Sequence, residues 1–238
     1  MSKPLILAIA AEPGEFLPFL AQAESLPPPV GSSPPAPGYP FLAEAESERY
    51  RWRFVANGPG PRLAREAVRL GLDAGRPDFL LSTGYCGALE PSLKAGDIFI
   101  ATEVHAGEEI FAALRPSAPH PQARGPIFSS DRVVLDSVEK ARLFIAFGHY
   151  AVDMEAGEVA RAAGDLPFLC IRAVSDSFHE PMPLDFNRYR DAEGRFDRRR
   201  IARAAAWRPW SWPGLLRLRR NAKKAASNLA AFLLECEI

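Results

Sequence analysis

Apolar residues along this chain fall into two rhythms. Stretches rich in apolar residues at 5–11, 78–82, 96–103, 150–154 and 167–174 predict short strands, and a strand that is apolar nearly throughout is one covered on both faces. Between them the spacing lengthens: Leu63, Ala67, Leu70 and Ala74 recur every three or four residues, which predicts a helix over 61–74 with one face on a sheet. An alanine-rich helix is expected from Glu155 to near Gly164, and a closing helix over 215–234. Pro13 stands early in the turn that leaves the first strand, where its missing N–H costs nothing. Segments 41–45 and 50–56, with 46–48 at the tip, predict a hairpin. Residues 105–124, broken by Gly107, Pro116, Pro119 and Pro121, read as a loop, and 125–134 as a strand and turn. Strands alternating with helices predict one domain over 1–238, a three-layer α/β/α arrangement around a central mixed, mostly parallel sheet.

Two stretches stand outside this alternation. Residues 27–40 hold seven prolines in 14 positions. Such a segment cannot pair in a sheet, so a surface loop over 26–40 is expected rather than a proline-recognition ligand. The second is an insertion at 185–214, where arginines are interleaved with Trp207, Trp210 and Trp212.

Composition narrows the class. With 47% hydrophobic and 24% charged residues the chain is an ordinary globular one, and its longest apolar runs fall short of the roughly 18 residues of a membrane span. The N-terminal run is followed at once by Glu12, Pro13 and Glu15, so it reads as a first core strand and not a signal peptide. Cys86, Cys170 and Cys236 are odd in number and far apart, which argues against disulfides and zinc and for a reducing cytoplasm. The formal net charge of zero hides an asymmetry: residues 188–224 carry 13 Arg or Lys against three acids, +10, leaving −10 on the remainder.

Candidate chemistry sits at strand ends. Glu155 ends one predicted strand and Asp176 stands just past another, so both carboxylates should project into the crevice at the edge of the sheet. The residues around them, VDMEAGEVA and then IRAVSDS some twenty residues on, resemble the signature of the purine nucleoside phosphorylase and nucleosidase superfamily, especially its methylthioadenosine/S-adenosylhomocysteine nucleosidase branch. The earlier LSTGYCGALEPSLKAGDIFIATEV at 81–104 is similar to that family's glycine turn and following strand.

The resemblance implies a nucleoside phosphorylase/hydrolase-like fold and roles for individual residues. Asp176 would protonate the departing purine at N7, with Ser175 beside it. Glu155 would accept hydrogen bonds from the ribose hydroxyls, Met154 would pack on the sugar, and Thr83, Gly84, Tyr85 and Cys86 would line the sugar pocket. An acid at the first turn would hold the attacking water; Glu15 aligns by the helix and Glu12 by the strand. In the 125–134 segment Ser129, Asp131 and Val133 fall where backbone groups meet the base, Val133 foremost. Tyr85 replaces a smaller residue, and either narrows the pocket, stacks on the base or fills space. Cys86 reads as buried filler, Arg172 as the partner of a neighbouring acid, and Arg62 as a solvated first-turn side chain. Phe111 is a candidate contact across a dimer interface, or a local plug.

The expected activity is hydrolysis of the N-glycosidic bond of a purine nucleoside, with a 5′-substituted adenine nucleoside as leading substrate. No cofactor or metal is implied. A phosphorylase, taking phosphate as co-substrate, is the alternative, including the superfamily's hopanoid-associated branch. The arginines that would precede the glycine turn and follow the first strand are absent, which favours water. A further alternative is a non-catalytic nucleoside-binding or membrane-surface protein. For the insertion, the favoured expectation is that its tryptophans pack onto the body. Among external partners, a peripheral membrane contact through 188–220 ranks above nucleic acid. The family implies a homodimer.

Overall fold

The computed structural model describes residues 3–26 and 40–238. The proline-rich expectation at 27–39 therefore lies outside the described residues. In chain order the elements are β1 (Leu5–Ala10), α1 (Leu17–Leu20), β2 (Glu24–Leu26), β3 (Phe41–Glu46), β4 (Arg51–Ala56), α2 (Pro61–Asp73), β5 (Phe79–Ala88), β6 (Ile98–Ala106), β7 (Glu109–Ala112), β8 (Gln122–Ser129), α3 (Ser137–Phe147), β9 (Ala151–Asp153), α4 (Ala156–Ala163), β10 (Phe168–Asp176), α5 (Arg198–Ala206) and α6 (Trp212–Glu235).

The strands form one mixed sheet. Its centre, β4-β1-β5-β10, is parallel, and antiparallel pairs extend it through β3 and β2 on one side. On the other side β10 pairs antiparallel with β6, β6 pairs parallel with β8, β8 with β9, and β9 returns antiparallel to β5. That half thus curls into a closed ring.

Helices cover both faces, which is why the central strands are apolar throughout. On β1, Leu7 and Ile9 join an apolar layer with Ala64, Ala67 and Val68 of α2 and Ala156, Val159 and Ala160 of α4. Ile6, Ala8 and Ala10 alternate to the opposite face, against Phe16, Phe19 and Leu229, Phe232 and Leu233 of α6. Burying each such large side chain contributes roughly 1.5–3 kcal/mol, enough to hold α6 in place despite its basic outer face. The α2 layer is tight: a Cβ on Gly71 would fall 2.4 Å from the Leu7 side chain.

Several expectations change in detail. The buried face of α2 runs through Leu63, Ala64, Ala67, Val68 and Gly71, while Ala74 is its exposed cap. β5 does not stop at Ser82; β10 pairs beside it as far as Gly87, and Gly84, with φ 114°, kinks the strand instead of ending it. The expected loop at 105–124 contains β7 and the start of β8. Helix α3 had no counterpart in the sequence reading because its polarity is partly inverted: Leu143 and Phe144 pack inward, but Val138, Ile145 and Phe147 face outward while Lys140 is fully buried. Its ends nonetheless follow ordinary capping, with the Asp136 side chain accepting from the Val138 and Glu139 N–H groups and left-handed Gly148 closing it. The 185–214 insertion is built from a short turn at Phe186–Tyr189, helix α5, and a second turn at Pro209–Ser211 leading into α6.

Candidate active site

At the carboxyl ends of β1, β5, β9 and β10 the described residues enclose a cleft of about 200 Å³. Open α/β sheets place ligands in this position because strand ends leave side chains and loops converging there.

The first strand brings Glu12 and Glu15. A short turn over Pro13–Glu15 folds the chain back so that Glu15 Oε2 accepts the Glu12 N–H at 2.8 Å and Oε1 accepts the Tyr85 N–H at 2.9 Å. Burial pushes the Glu15 carboxyl up to about 8, with the Glu155 charge adding to the rise and the two amide donors opposing it. The carboxylate lies directly over Gly84, where a Cβ would stand 2.6 Å from Oε1. Gly84 is therefore required both for its positive φ and for the room it leaves. Glu12 is at the rim, paired with Arg198 at 2.8 Å.

Glu155 caps the start of α4 and points back across the cleft, its Oε1 accepting the Gly60 N–H at 2.8 Å. Burial raises its carboxyl to about 7, with Asp153 contributing in the same direction and Arg172 against it. Arg172 is spent on structure: its fully buried guanidinium pairs with Asp153 and donates to the Thr83 carbonyl and to Ser82 Oγ, with Glu155 farther off at 3.8 Å.

Asp176 has a partner that the sequence reading missed. Lys140 reaches from α3 to place Nζ 2.6 Å from Asp176 Oδ2, and also donates to the Ser177 carbonyl at 2.7 Å. The Ser175 hydroxyl donates to Oδ1 at 2.8 Å. Burial raises the Asp176 carboxyl, and Lys140 and Ser175 oppose that rise without cancelling it. Both side chains are almost fully buried, with Asp176 at the cleft wall, so a proton on Asp176 and the charge on Lys140 are held in one hydrogen-bonded unit. No periodic signal pointed to Lys140, since it lies on the inverted helix.

Glu12, Glu15, Tyr85, Cys86, Val133, Met154, Glu155, Ser175 and Asp176 all line the cleft. Thr83 and Gly84 do not: Thr83 is buried in the sheet with its carbonyl held by Arg172, and Gly84 lies beneath the Glu15 carboxylate. Cys86 is a buried thiol pushed well up by desolvation, which suits filler and not a nucleophile. Ser129 accepts the Gly157 N–H, fixing the start of α4, and Asp131 is exposed. Arg62 pairs with Glu66 and donates to the Glu193 carbonyl. Phe111 packs with the α4 layer beneath the Arg161 guanidinium.

The insertion contributes more to the site than expected. Phe196 lines the cleft, and Arg195 reaches Asn57 Oδ1 at 3.1 Å. Asn187 clamps the backbone of Val133, accepting its N–H at 2.9 Å and donating to its carbonyl at 3.0 Å. Arg190 comes within 3.5 Å of Met154 Sδ, over the Phe196 ring, with a buried Nε that has no hydrogen-bond partner. The expectation that the tryptophans pack onto the body is overturned: Trp207, Trp210 and Trp212 are exposed, because the arginine contacts already hold the segment down.

Among the described residues no group of three His, Cys, Asp or Glu side chains is arranged to hold a metal ion, and no helix is long and apolar enough to cross a membrane.

Comparison with known proteins finds relatives of similar fold. The family model described as the phosphorylase superfamily matches residues 106–206. A 5′-methylthioadenosine/S-adenosylhomocysteine nucleosidase of Anoxybacillus flavithermus is 28% identical over 167 residues, 57% of this chain and 72% of that protein. Among solved structures, the nucleosidase of the same description from Neisseria meningitidis, in complex with methylthio-immucillin-A, superposes with a TM-score of 0.67 at 20% identity, covering 97% of each chain. The futalosine hydrolase of Helicobacter pylori superposes with a TM-score of 0.66 at 16% identity, covering 97% of this chain and 95% of that one.

Proposed function

We propose that this chain, which the phosphorylase superfamily model matches over residues 106–206, is a nucleosidase of that superfamily that hydrolyses the N-glycosidic bond of a purine nucleoside, with a 5′-substituted adenine nucleoside as the leading substrate. The observation that carries this reading is the convergence of three buried carboxyl groups, Glu15, Glu155 and Asp176, on one cleft.

Breaking this bond leaves an oxocarbenium-like sugar, so the site must help the base depart and bring a nucleophile to the anomeric carbon. Asp176 gives its proton to the purine as the bond breaks, and the ammonium of Lys140 stabilises the carboxylate that remains. Glu155, held by the Gly60 N–H, accepts hydrogen bonds from the ribose hydroxyls, with Met154 against the sugar. Glu15, raised to about 8, has the affinity for a proton that a base near neutral pH needs, and it orients the attacking water. Val133 and Tyr85 border the base. The chemistry uses side chains alone, without a cofactor, in a homodimer of the cytoplasm.

Replacing Asp176 by Asn removes the proton donor. Turnover of adenine nucleosides should fall by roughly 10²–10⁴ while equilibrium binding survives. Undiminished release of free adenine would refute the assignment.

One observation favours a second reading, with phosphate as nucleophile. Arg190 stands beside Met154 with unused donor capacity and no carboxylate in an ion pair with it among the described residues. A guanidinium so placed suits a phosphate oxyanion. Assaying adenine release with and without phosphate separates the two, since ribose 1-phosphate forms only in phosphorolysis.

A further inference from the structure

The turn between α5 and α6 exposes aromatic surface that the catalytic reading leaves unused. Trp207 is 80% exposed, Trp210 75% and Trp212 52%, and one turn along α6 Leu216 is 65% exposed. They are interleaved with cations. Trp207 shares a shallow groove with Arg200, Arg203 and Arg208, and Trp210 a neighbouring one with Arg208, so both indoles flank the same guanidinium. Trp212 is tied to the end of α5 by its indole N–H, which donates to the Ala205 carbonyl at 2.8 Å. Beyond Leu216 the exposed side of α6 continues with Arg219, Arg220 and Lys223.

These cations differ from the arginines that build the cleft rim. Arg188, Arg198 and Arg217 are paired with Asp185, Glu12 and Glu180. Arg199, Arg203, Arg219 and Arg220 form no ion pair among the described residues. The charge of this surface is therefore available to a partner. Residues 188–224 carry +10 and the remainder of the chain −10, so the field also has a direction: an anionic plane attracts this face and repels the rest.

We propose that the Trp207–Trp210–Trp212–Leu216 surface, with its surrounding arginines, docks this protein on an anionic lipid bilayer. Indole rings settle at the level of lipid headgroups because they are apolar with one polar N–H, and basic side chains beside them meet the headgroup charge. Three indoles and a leucine give a bilayer something to bury, whereas a nucleic acid backbone would use the arginines and leave Leu216 and the outermost indoles wet. The surface adjoins the cleft, since Met182 lines both the cleft and the groove beside Trp210. Docking brings the site to the membrane without a spanning helix. This inference does not depend on which nucleophile the enzyme uses.

The test is co-sedimentation of the full chain with vesicles of phosphatidylcholine alone and of phosphatidylcholine with phosphatidylglycerol, at low and high salt. Each basic side chain near an anionic leaflet strengthens binding roughly fivefold. The protein is expected to bind the anionic vesicles, to release in high salt, and to show a blue shift of indole emission; Trp52 is fully buried, so the change reports on the other three tryptophans. A triple Trp207→Ser, Trp210→Ser, Trp212→Ser variant, and independently Arg199→Glu with Arg203→Glu and Arg219→Glu, should each weaken binding by at least about tenfold. All six positions are on the surface, and circular dichroism confirms that both variants fold. Indifference to anionic lipid, or an unshifted indole spectrum, overturns the proposal. Two alternatives overturn it as well: binding to single-stranded oligonucleotides with vesicles left unbound, or a dimer in solution that the tryptophan variant dissolves.

Discussion

Removing Lys140 tests the least anticipated feature of the site. Its ammonium is fully buried, 2.6 Å from Asp176 Oδ2, and Lys140→Met keeps most of the unbranched side chain while deleting the charge. An ionised Asp176 would then be stranded in a dry site, and breaking a buried pair from one side costs about 3–5 kcal/mol. The carboxyl has an escape, which is to stay protonated. Burial already raises it, and without the opposing ammonium it rises further. In the variant the folded state therefore holds a proton that the unfolded chain gives up above its ordinary value near 3.8. More protons bound when folded means that stability falls as pH rises, by up to about 1.4 kcal/mol per pH unit until the raised value is passed. Urea denaturation at about pH 5 should find a modest loss, and at about pH 8 the larger one, equivalent to a drop in Tm of about 6–20 °C for a domain of this size.

The double variant Lys140→Met, Asp176→Asn closes the argument. With both charges gone nothing buried is left unpaired, so it should be more stable than Lys140→Met alone at about pH 8, and its stability should lack the added pH dependence. If Lys140→Met loses the same amount at both pH values, and the Asn substitution rescues nothing, the lysine is acting as a packing element and the coupled unit does not exist. Activity offers a second readout, since raising the carboxyl of the proton donor Asp176 should carry the alkaline limb of kcat/KM to higher pH.

Glu15→Gln removes the ionisation and keeps only one of the two amide contacts, at its single carbonyl oxygen; because the folded carboxyl lies at about 8 against 4.5 unfolded, the native protein loses stability as pH rises across that window and the variant should not, as denaturation series at several pH values will reveal. The same variant should lose turnover if Glu15 orients the nucleophile, and full activity would transfer that role to Glu12. Gly84→Ala puts a methyl group 2.6 Å from the Glu15 carboxylate at a φ of 114°, so a loss of more than about 3 kcal/mol in stability is expected by denaturation; a well-folded, active variant would mean that the strand does not need its kink. Asn187→Ala deletes two hydrogen bonds to Val133, worth about 1 kcal/mol each, and should raise KM roughly tenfold with little change in kcat; a fall in KM would mean that the carboxamide competes with the base for Val133.

What the sequence made legible follows from which physical signals it carries. Strands covered on both faces are apolar at most positions, with any buried polar group paired as Arg172 is with Asp153, so β1, β5 and β10 stood out, and acids that end such runs are expected at the sheet edge. Glu155 and Asp176 were therefore readable as a pair before any coordinates, and Glu12 and Glu15 as alternatives at the same edge. The two differ in the structure by a hydrogen bond across 70 residues, from the Tyr85 N–H to Glu15, which no local pattern encodes. Lys140 was hidden for a related reason. A helix is recognised by apolar residues on its inner face, and α3 points Val138 and Ile145 outward while its lysine goes in, because the Asp176 carboxylate compensates for burying the charge.

The insertion inverts the same rule at the surface. From composition, tryptophans among arginines are expected to pack and the arginines to be solvated. Here the arginines do the anchoring, Arg195 to Asn57 and Arg198 to Glu12, and the indoles are left outside. Arg195 and Arg198 reach acceptors fixed at the cleft rim, so the geometry of the site helps to organise the insertion. It follows that weakening the rim should free the strap. Glu12→Gln removes the charge that Arg198 pairs with at the rim, and limited proteolysis within 188–198 should accelerate in that variant while the sheet remains resistant. Equal cleavage rates in both proteins would mean that the strap is held by Phe196 and Asn187, and that the arginine contacts add nothing to it.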